Sequence, residues 1–373
     1  MNPLRLACFS DIHLGHRNNS AFDIILAIDQ LIHTDKLLEK IDLLVFAGDV
    51  FDRLLDLGHP NLADIDNWIA RLFYACQRHN VAFRVLEGTP SHDRKQSERF
   101  VTIHQIIQSK VDFKYITTLE IEYHPGFDAH ILYIPDEYKP TTDETLADVR
   151  ELLSSRGLDT VDIAVMHGQF EYQLPVDIKT IPCHDSRAYQ KLVNYLILIG
   201  HVHTHSRNGK IVAQGSTDRL KHGEEEAKGY VYVEIDPDEG ANVYFIENKL
   251  ARIYKTYKCY GMELDATLKY LAEQIHDLPG NAAIRVEAEP SHPLFSNMNE
   301  VMKMYPTLTW SKLAKDREDE TPGVTIQVSE FDDWHPVHIS RDNVVGIMMD
   351  RIMAKVTSQQ DCDFIKQQLE ELK

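Results

Sequence analysis

Aspartate and histidine recur in this chain in five short polar clusters, each at the end of an apolar run. The clusters are Asp11-Ile12-His13, Gly48-Asp49-Val50-Phe51-Asp52, Ser91-His92-Asp93, His167-Gly168 and Gly200-His201-Val202-His203. Imidazole and carboxylate are the side chains that hold borderline divalent metals, and one carboxylate can bridge two ions. A lone histidine beside a strand is more often a core residue satisfied by backbone. Five clusters in this order, each following an expected strand, point instead to one dinuclear metal centre assembled from loops. A pair of such ions can clamp a phosphate and acidify a water for in-line attack.

Asp11 and His13 stand two apart, so in extended chain both side chains leave one face and can converge on one ion. Asp49 follows the buried run 43–46 and a glycine, at the kind of strand end where parallel sheets place ligands. Asp52 and Arg53 come one turn later. They either orient the metal ligands, touch a phosphate or form a surface ion pair. His167 closes the run 163–166, and His201 and His203 follow 195–199. Gly168 and Gly200 let the backbone approach the ions. His104, His124, His184, His205 and His222 read as ordinary loop or helix histidines.

The elements that must position these residues alternate strand and helix in the first half. Strands are expected at 4–9, 43–46 and 81–86, with helices at 20–40, 62–79 and 97–108 between and after them. That spacing implies right-handed crossovers and a largely parallel core. A hairpin at 118–123 and 129–134, a helix at 143–155 and strands at 161–166 and 195–199 follow. From 210 to 246 the pattern is mostly β, with strands at 211–214, 230–235 and 243–246 separated by turn residues. The sum is an α/β chain with two sheets packed face to face and helices outside. After 248 the style changes to a small α+β domain: helix 264–275, strand 283–288, helix 293–305 and strands 307–312 and 324–328. Amphipathic helices at 343–356 and 361–372 end the chain.

At 373 residues the chain can bury two full cores, and no run approaches the ~20 apolar residues of a membrane span. The N-terminus lacks a signal-peptide layout. Five scattered cysteines without a C-x-x-C pair suit reduced thiols in a cytoplasm, the host's if the chain is viral. The formal net charge of -19 argues against binding nucleic acid by global electrostatics. Bound divalent cations or a basic partner would have to supply local positive charge.

The ordered set D-x-H, G-D-x-x-D, H-D after a strand, H-G and G-H-x-H resembles the motif series of calcineurin-like metallophosphoesterases, over roughly the first two thirds of the chain. Within them it most resembles the SbcD (meiotic-recombination-eleven) DNA nucleases, in compact length the phage version, a recombination endonuclease small subunit. Gly48 to Arg53, Gly215-Ser216-Thr217-Asp218-Arg219 through Glu224, and Lys228-Gly229 carry that closer likeness. The resemblance implies a four-layer fold of two packed mixed sheets flanked by helices over 1–248. It further implies a smaller α+β capping domain over 249–330, and a C-terminal helical segment, 331–373, that docks an ATPase partner.

Carried over, it implies that Asp11, His13, Asp49 and His203 hold the first metal. Asp49 would bridge to a second, held also by His167 and His201. Two divalent ions are implied, manganese expected and magnesium the alternative. His92 would sit beside the scissile phosphate and protonate the leaving oxygen, with Asp52 and Arg53 as supporting catalytic candidates. The third motif departs from the family's Gly-Asn-His: the chain reads Gly88-Thr89-Pro90-Ser91-His92-Asp93, which puts Ser91 in the place of the asparagine ligand. The activity implied is metal-dependent exonuclease and endonuclease cleavage of DNA in recombination, repair and end processing. The implied partners are DNA and an SbcC-type ATPase large subunit. A homodimer within a heterotetramer is implied too, formed through helix 62–79 and the helix after Arg94. Two other readings stand beside it: a phosphatase or small-molecule phosphodiesterase, and a non-catalytic scaffold with a degenerate site.

Overall fold

The computed structural model describes residues 3–34, 36–174, 182–236 and 238–316. In chain order the elements are β1 (Leu4–Phe9), α1 (Ala21–Asp29), β2 (Leu43–Ala47), α2 (Leu62–His79), β3 (Ala82–Leu86), α3 (Glu98–Ile106), β4 (Phe113–Ile116), β5 (Glu120–His124) and β6 (Ala129–Ile134). They continue with α4 (Thr142–Ser155), β7 (Val161–His167), α5 (Ser186–Leu192), β8 (Val193–Gly200), β9 (Ser206–Asn208), β10 (Ile211–Ala213), β11 (Gly229–Asp236) and β12 (Gly240–Glu247). One six-stranded sheet runs β12-β11-β1-β2-β3-β4 and the other β5-β6-β7-β8-β10-β9. Both are mixed: β1 to β4 are parallel in the first, and β6, β7, β8 and β10 in the second, with antiparallel strands at the edges.

Alternation along each strand decides the layering. Leu4, Leu6 and Cys8 of β1 and Leu43, Val45 and Ala47 of β2 face the second sheet, meeting Ile131, Tyr133, Ile163, Val165, Leu196 and Leu198. Their neighbours Ala7, Phe9, Leu44 and Phe46 face outward into a core with Trp68, Phe73 and Phe100 from α2 and α3. On the far side, Ala164, Met166, Ile197 and Ile199 pack under Val149 and Leu153 of α4 and Tyr189 of α5. The result is a mixed α/β body with two large sheets face to face and helices flanking both.

Two expected helices are interrupted. The segment 20–40 is helical only to Asp29, capped by Ser20, whose hydroxyl accepts from the Asp23 amide at 3.1 Å. Gln30–Thr34 then widen into a π turn, and Lys36 at φ 53° turns the chain into a short 3-10 segment that buries Leu37 and Leu38. The segment 293–305 splits at Asn297.

A third, smaller sheet follows where the α+β domain was expected, and its described part alternates strand and helix. β13 (Tyr254–Lys258), α6 (Leu264–Ile275), β14 (Ala283–Ala288), α7 (Pro293–Ser296), α8 (Met298–Met304) and β15 (Thr309–Ala314) alternate, and the three strands are parallel. It is a small α/β sheet with its own core around Leu271, Ile284, Val286, Leu294 and Trp310. β13 was not anticipated, because Tyr254-Lys255-Thr256-Tyr257-Lys258 shows no period-two pattern of burial. Arg252 anchors this sheet, donating to Asn281 O (2.8 Å) and Thr309 Oγ1 (2.6 Å), while Tyr254 OH donates to Asn19 Oδ1 (2.7 Å). The expected strand 324–328, the terminal helices and the proposed docking segment 331–373 lie outside the described residues. No described helix is long and apolar enough to cross a membrane.

Candidate metal centre

The parallel strands of both sheets end at one edge, and the polar clusters leave from those ends. Asp11 and His13 follow β1, Asp49 follows β2, Thr89 and His92 follow β3, His167 ends β7, and His201 and His203 follow β8. Three groups of side chains have ligand atoms within 4.8 Å of one another: Asp11, His13 and His203; Asp49, His167 and His201; and His13, Asp52 and His92. Asp49 joins the first two. Its Oδ2 lies 3.3 Å from His167 Nε2 and 4.0 Å from His13 Nε2.

The route of the loop corrects the extended-chain expectation for Asp11 and His13. Both have left-handed backbone, φ 51° and 54°, as do Asp49 at 50° and His201 at 99°. Non-glycine residues hold this conformation at a cost of about 1–3 kcal/mol each, and only where surroundings enforce it. Here the amides of Asp11, Ile12 and His13 donate to the carbonyls of Gly48 and Asp49, tying the two ligand loops together. Asp11 in turn accepts from the His201 amide at 3.1 Å and from the Ser10 hydroxyl. Gly48 and Gly200 are needed for contact: a Cβ on either would fall 2.2 Å and 2.8 Å from His167 Nδ1.

The imidazoles are oriented from behind. His167 Nδ1 donates to Ala47 O at 2.7 Å, which turns Nε2 inward. His203 Nδ1 lies 2.9 Å from Glu224 Oε1, and its Nε2 lies 3.8 Å from Asp11 Oδ1. His92 Nδ1 donates to Asp52 O at 2.8 Å. Both ring nitrogens of the buried His13 lack a hydrogen-bond partner among the described residues, with Asp52 Oδ1 3.3 Å from Nδ1. Orphaned buried nitrogens beside the buried carboxylates of Asp11 and Asp49 form a donor set that suits divalent ions of first-row type.

The ionisable groups of the site act strongly on one another. Burial would raise the Asp49 carboxyl, but His167, His13 and His92 outweigh it and hold it well below its ordinary value. Burial would lower His167, and Asp49 reverses this and raises it. Glu224 follows the same logic: burial would raise it, and His203 and Lys228 bring it down to about 2. Burial and the neighbouring His167 lower His201. Asp93, fully buried near Asp49, is pushed up to about 8 by burial and by that carboxylate.

No family model matches this chain, and no curated protein matches it. Among solved structures, one crystal structure is similar at 13% identity, covering 66% of this chain and 100% of its own, with a TM-score of 0.40. The protein TT1561 of Thermus thermophilus is similar at 11% identity, covering 65% of this chain and 99% of its own, with a TM-score of 0.38. Likenesses this weak carry no argument about function.

Six expected ligands, Asp11, His13, Asp49, His167, His201 and His203, come together, and His92 lies beside them with its ring centroid 4.9 Å from that of His13. Asp52 supports His13 and His92. Arg53 is half-buried, and its guanidinium makes no hydrogen bond or ion pair among the described residues; only its carbonyl is engaged, by Gln96. Ser91 does not join the centre. It is exposed, and its carbonyl accepts from Arg94 Nε at 3.3 Å. The five other histidines set aside above stay out of all three groups.

Two contributors went unread in the sequence, and a third, Glu224, was named only within the closer likeness. Thr89 sits where Ser91 was expected, its Oγ1 3.1 Å from Asp49 Oδ2. Asp136 Oδ2 lies 3.9 Å from His201 Nδ1, and Glu224 orients His203. The Gly88-Thr89 pair directly after a buried strand was the available signal for the first. A cavity of about 420 Å³ opens beside His201, lined among others by Asp136, Tyr138, Lys139, Gly168 and His184.

Proposed function

We propose that this chain is a manganese-dependent DNA nuclease of the calcineurin-like metallophosphoesterase type, resembling the nuclease subunit of SbcCD-like end-processing complexes. The observation that carries the reading is the Asp49 Oδ2 atom facing His167 on one side and His13 on the other. One carboxylate oxygen between two sets of nitrogen and oxygen donors is the arrangement a dinuclear phosphoesterase needs. Asp11, His13 and His203 would hold one ion with Asp49; His167 and His201 would hold the other with it. When bound, two ions supply clamping of the scissile phosphate and acidification of the attacking water.

The protein's own residues do the rest. His92 spends Nδ1 on the Asp52 carbonyl, which leaves Nε2 as the atom that would pass a proton to the leaving oxygen. The 420 Å³ cavity beside His201 leaves room for the substrate flank next to the second group of ligands. A large ATPase partner would bring an acidic subunit of net charge -19 to DNA. A homodimer through α2 and α3 belongs to the same reading.

The acidic charge and the compact cavity favour a second reading, a phosphatase or small-molecule phosphodiesterase with the same centre. Purified chain with manganese, assayed on linear double-stranded DNA and on a chromogenic phosphodiester, with and without the ATPase partner, separates the two. Cleavage of DNA that requires Asp49 and His201 supports the nuclease. Diester hydrolysis with no DNA cleavage even beside the partner favours the second reading and removes the first.

A further inference from the structure

We propose that the Thr89 hydroxyl is the fourth protein donor to the second ion, in the place the sequence pattern gives to Ser91; this rests on the dinuclear reading above. Thr89 Oγ1 lies 3.1 Å from Asp49 Oδ2, 3.4 Å from His167 Nε2 and 3.2 Å from His201 Nδ1, and Asp49 Oδ2 lies 3.3 Å from His167 Nε2. Adjacent donors held about 2.0–2.2 Å from one cation stand about 2.8–3.6 Å apart in octahedral or tetrahedral coordination. All four separations fall inside that interval. A hydroxyl has one proton to give, so it can donate to only one of these three neighbours, and a cation at their centre satisfies all of them.

The placement of Thr89 is built into the loop. Its amide donates to Asp49 Oδ1 at 2.6 Å, which pins that oxygen and leaves Oδ2 for the ions. Gly88 makes this approach feasible, because a Cβ there would lie 2.1 Å from the Asp49 amide nitrogen. Buried Asp93 holds the turn closed by accepting from the amides of Gly88 (2.8 Å) and Phe51 (2.9 Å). The Thr89 carbonyl accepts from the amides of His92 and Asp93, so the following turn swings Ser91 outward. A neutral hydroxyl is a weaker donor than a carboxylate or an imidazole. The two ions therefore bind with unequal affinity, the second more weakly.

Manganese binding, followed by titration calorimetry and by the spin-coupled electron paramagnetic resonance signal of a manganese pair, tests the assignment without relying on activity. Wild type, Ser91→Ala and Thr89→Ser should each bind two ions and show the coupled signal. Thr89→Val should keep the first ion, weaken the second by at least the ~10–100-fold that loss of a supporting contact costs, and lose the coupled signal. A Thr89→Val variant that binds the second ion as wild type does, or a Ser91→Ala variant that loses it, overturns the assignment. So does equal loss in Thr89→Ser and Thr89→Val, which would place the effect in the methyl group or the fold. Wild-type protein that binds fewer than two ions overturns the dinuclear reading and this assignment together. Two ions in wild type, with the second bound as tightly in Thr89→Val, overturn the assignment alone.

Discussion

Glu224 and His203 face each other across 2.9 Å, carboxylate Oε1 to imidazole Nδ1, although they stand 21 residues apart in the chain. The same carboxylate accepts from the Leu220 amide at 2.9 Å and lies 3.6 Å from the buried Lys228 ammonium. Lys228 closes the circuit by donating to His203 O at 2.9 Å. The stretch that carried the closer family likeness thus orients the ring of one candidate ligand.

Glu224→Gln should accordingly weaken binding of the first ion by about 10–100-fold, the usual cost of losing such a support. Manganese titration of the variant reads it directly. An affinity equal to wild type would reduce Glu224 to a packing residue.

His92→Gln removes the proposed proton donor and replaces none of the six candidate ligands. Diester cleavage should fall by about 10²–10⁴-fold while both ions remain bound. Normal turnover in this variant would take His92 out of the proposed chemistry.

Gly88→Ala forces a Cβ toward the Asp49 amide and carboxylate, at 2.1 Å and 2.4 Å. Backbone must shift, and overpacking of this kind costs about 1–3 kcal/mol. Urea denaturation should show a lower midpoint, and manganese titration a weaker second ion. A midpoint and affinities matching wild type would mean that the Asp49–Thr89 contact is looser than described.

Away from the centre, Glu122 predicts an acid-sensitive fold. Burial would raise its carboxyl, but His124, Arg84 and Lys114 outweigh burial and hold it well below its ordinary 4.5. The fully buried Arg84 donates to both of its oxygens at 2.8 Å, and Lys114 lies 2.8 Å from Oε1. A carboxyl depressed by folding adds stability above its unfolded value, and that stability is lost as pH falls below it. Glu122→Gln should cost about 1–3 kcal/mol at neutral pH, since Asp112 still accepts from Arg84, and should flatten the loss of stability below about pH 4.5. Urea unfolding between pH 3 and 7 compares the two proteins. Parallel curves for wild type and variant would count against this network as the source.

Much of this architecture could be read before any coordinates, because hydrophobic period and strand-end polarity are local signals. Helix 62–79, helix 264–275 and strand 283–288 match α2, α6 and β14 to the residue. The six candidate ligands were legible because each lies at or just past the end of a buried strand. What was lost depends on long-range geometry. Thr89 and Ser91 are indistinguishable as hydroxyls in sequence, and the turn closed by Asp93 decides which one faces Asp49. The left-handed backbone at Asp11 and His13 follows from bonds to the loop after β2, which no local pattern announces. Among the described residues β13 pairs with β14 alone, so its strand character is set by its neighbour.

Anomalous diffraction at the manganese edge from crystals grown with manganese tests the account most directly. It predicts two peaks, one among Asp11, His13, His203 and Asp49, the other among Asp49, His167, His201 and Thr89. Manganese bound elsewhere, or a single peak, would contradict it.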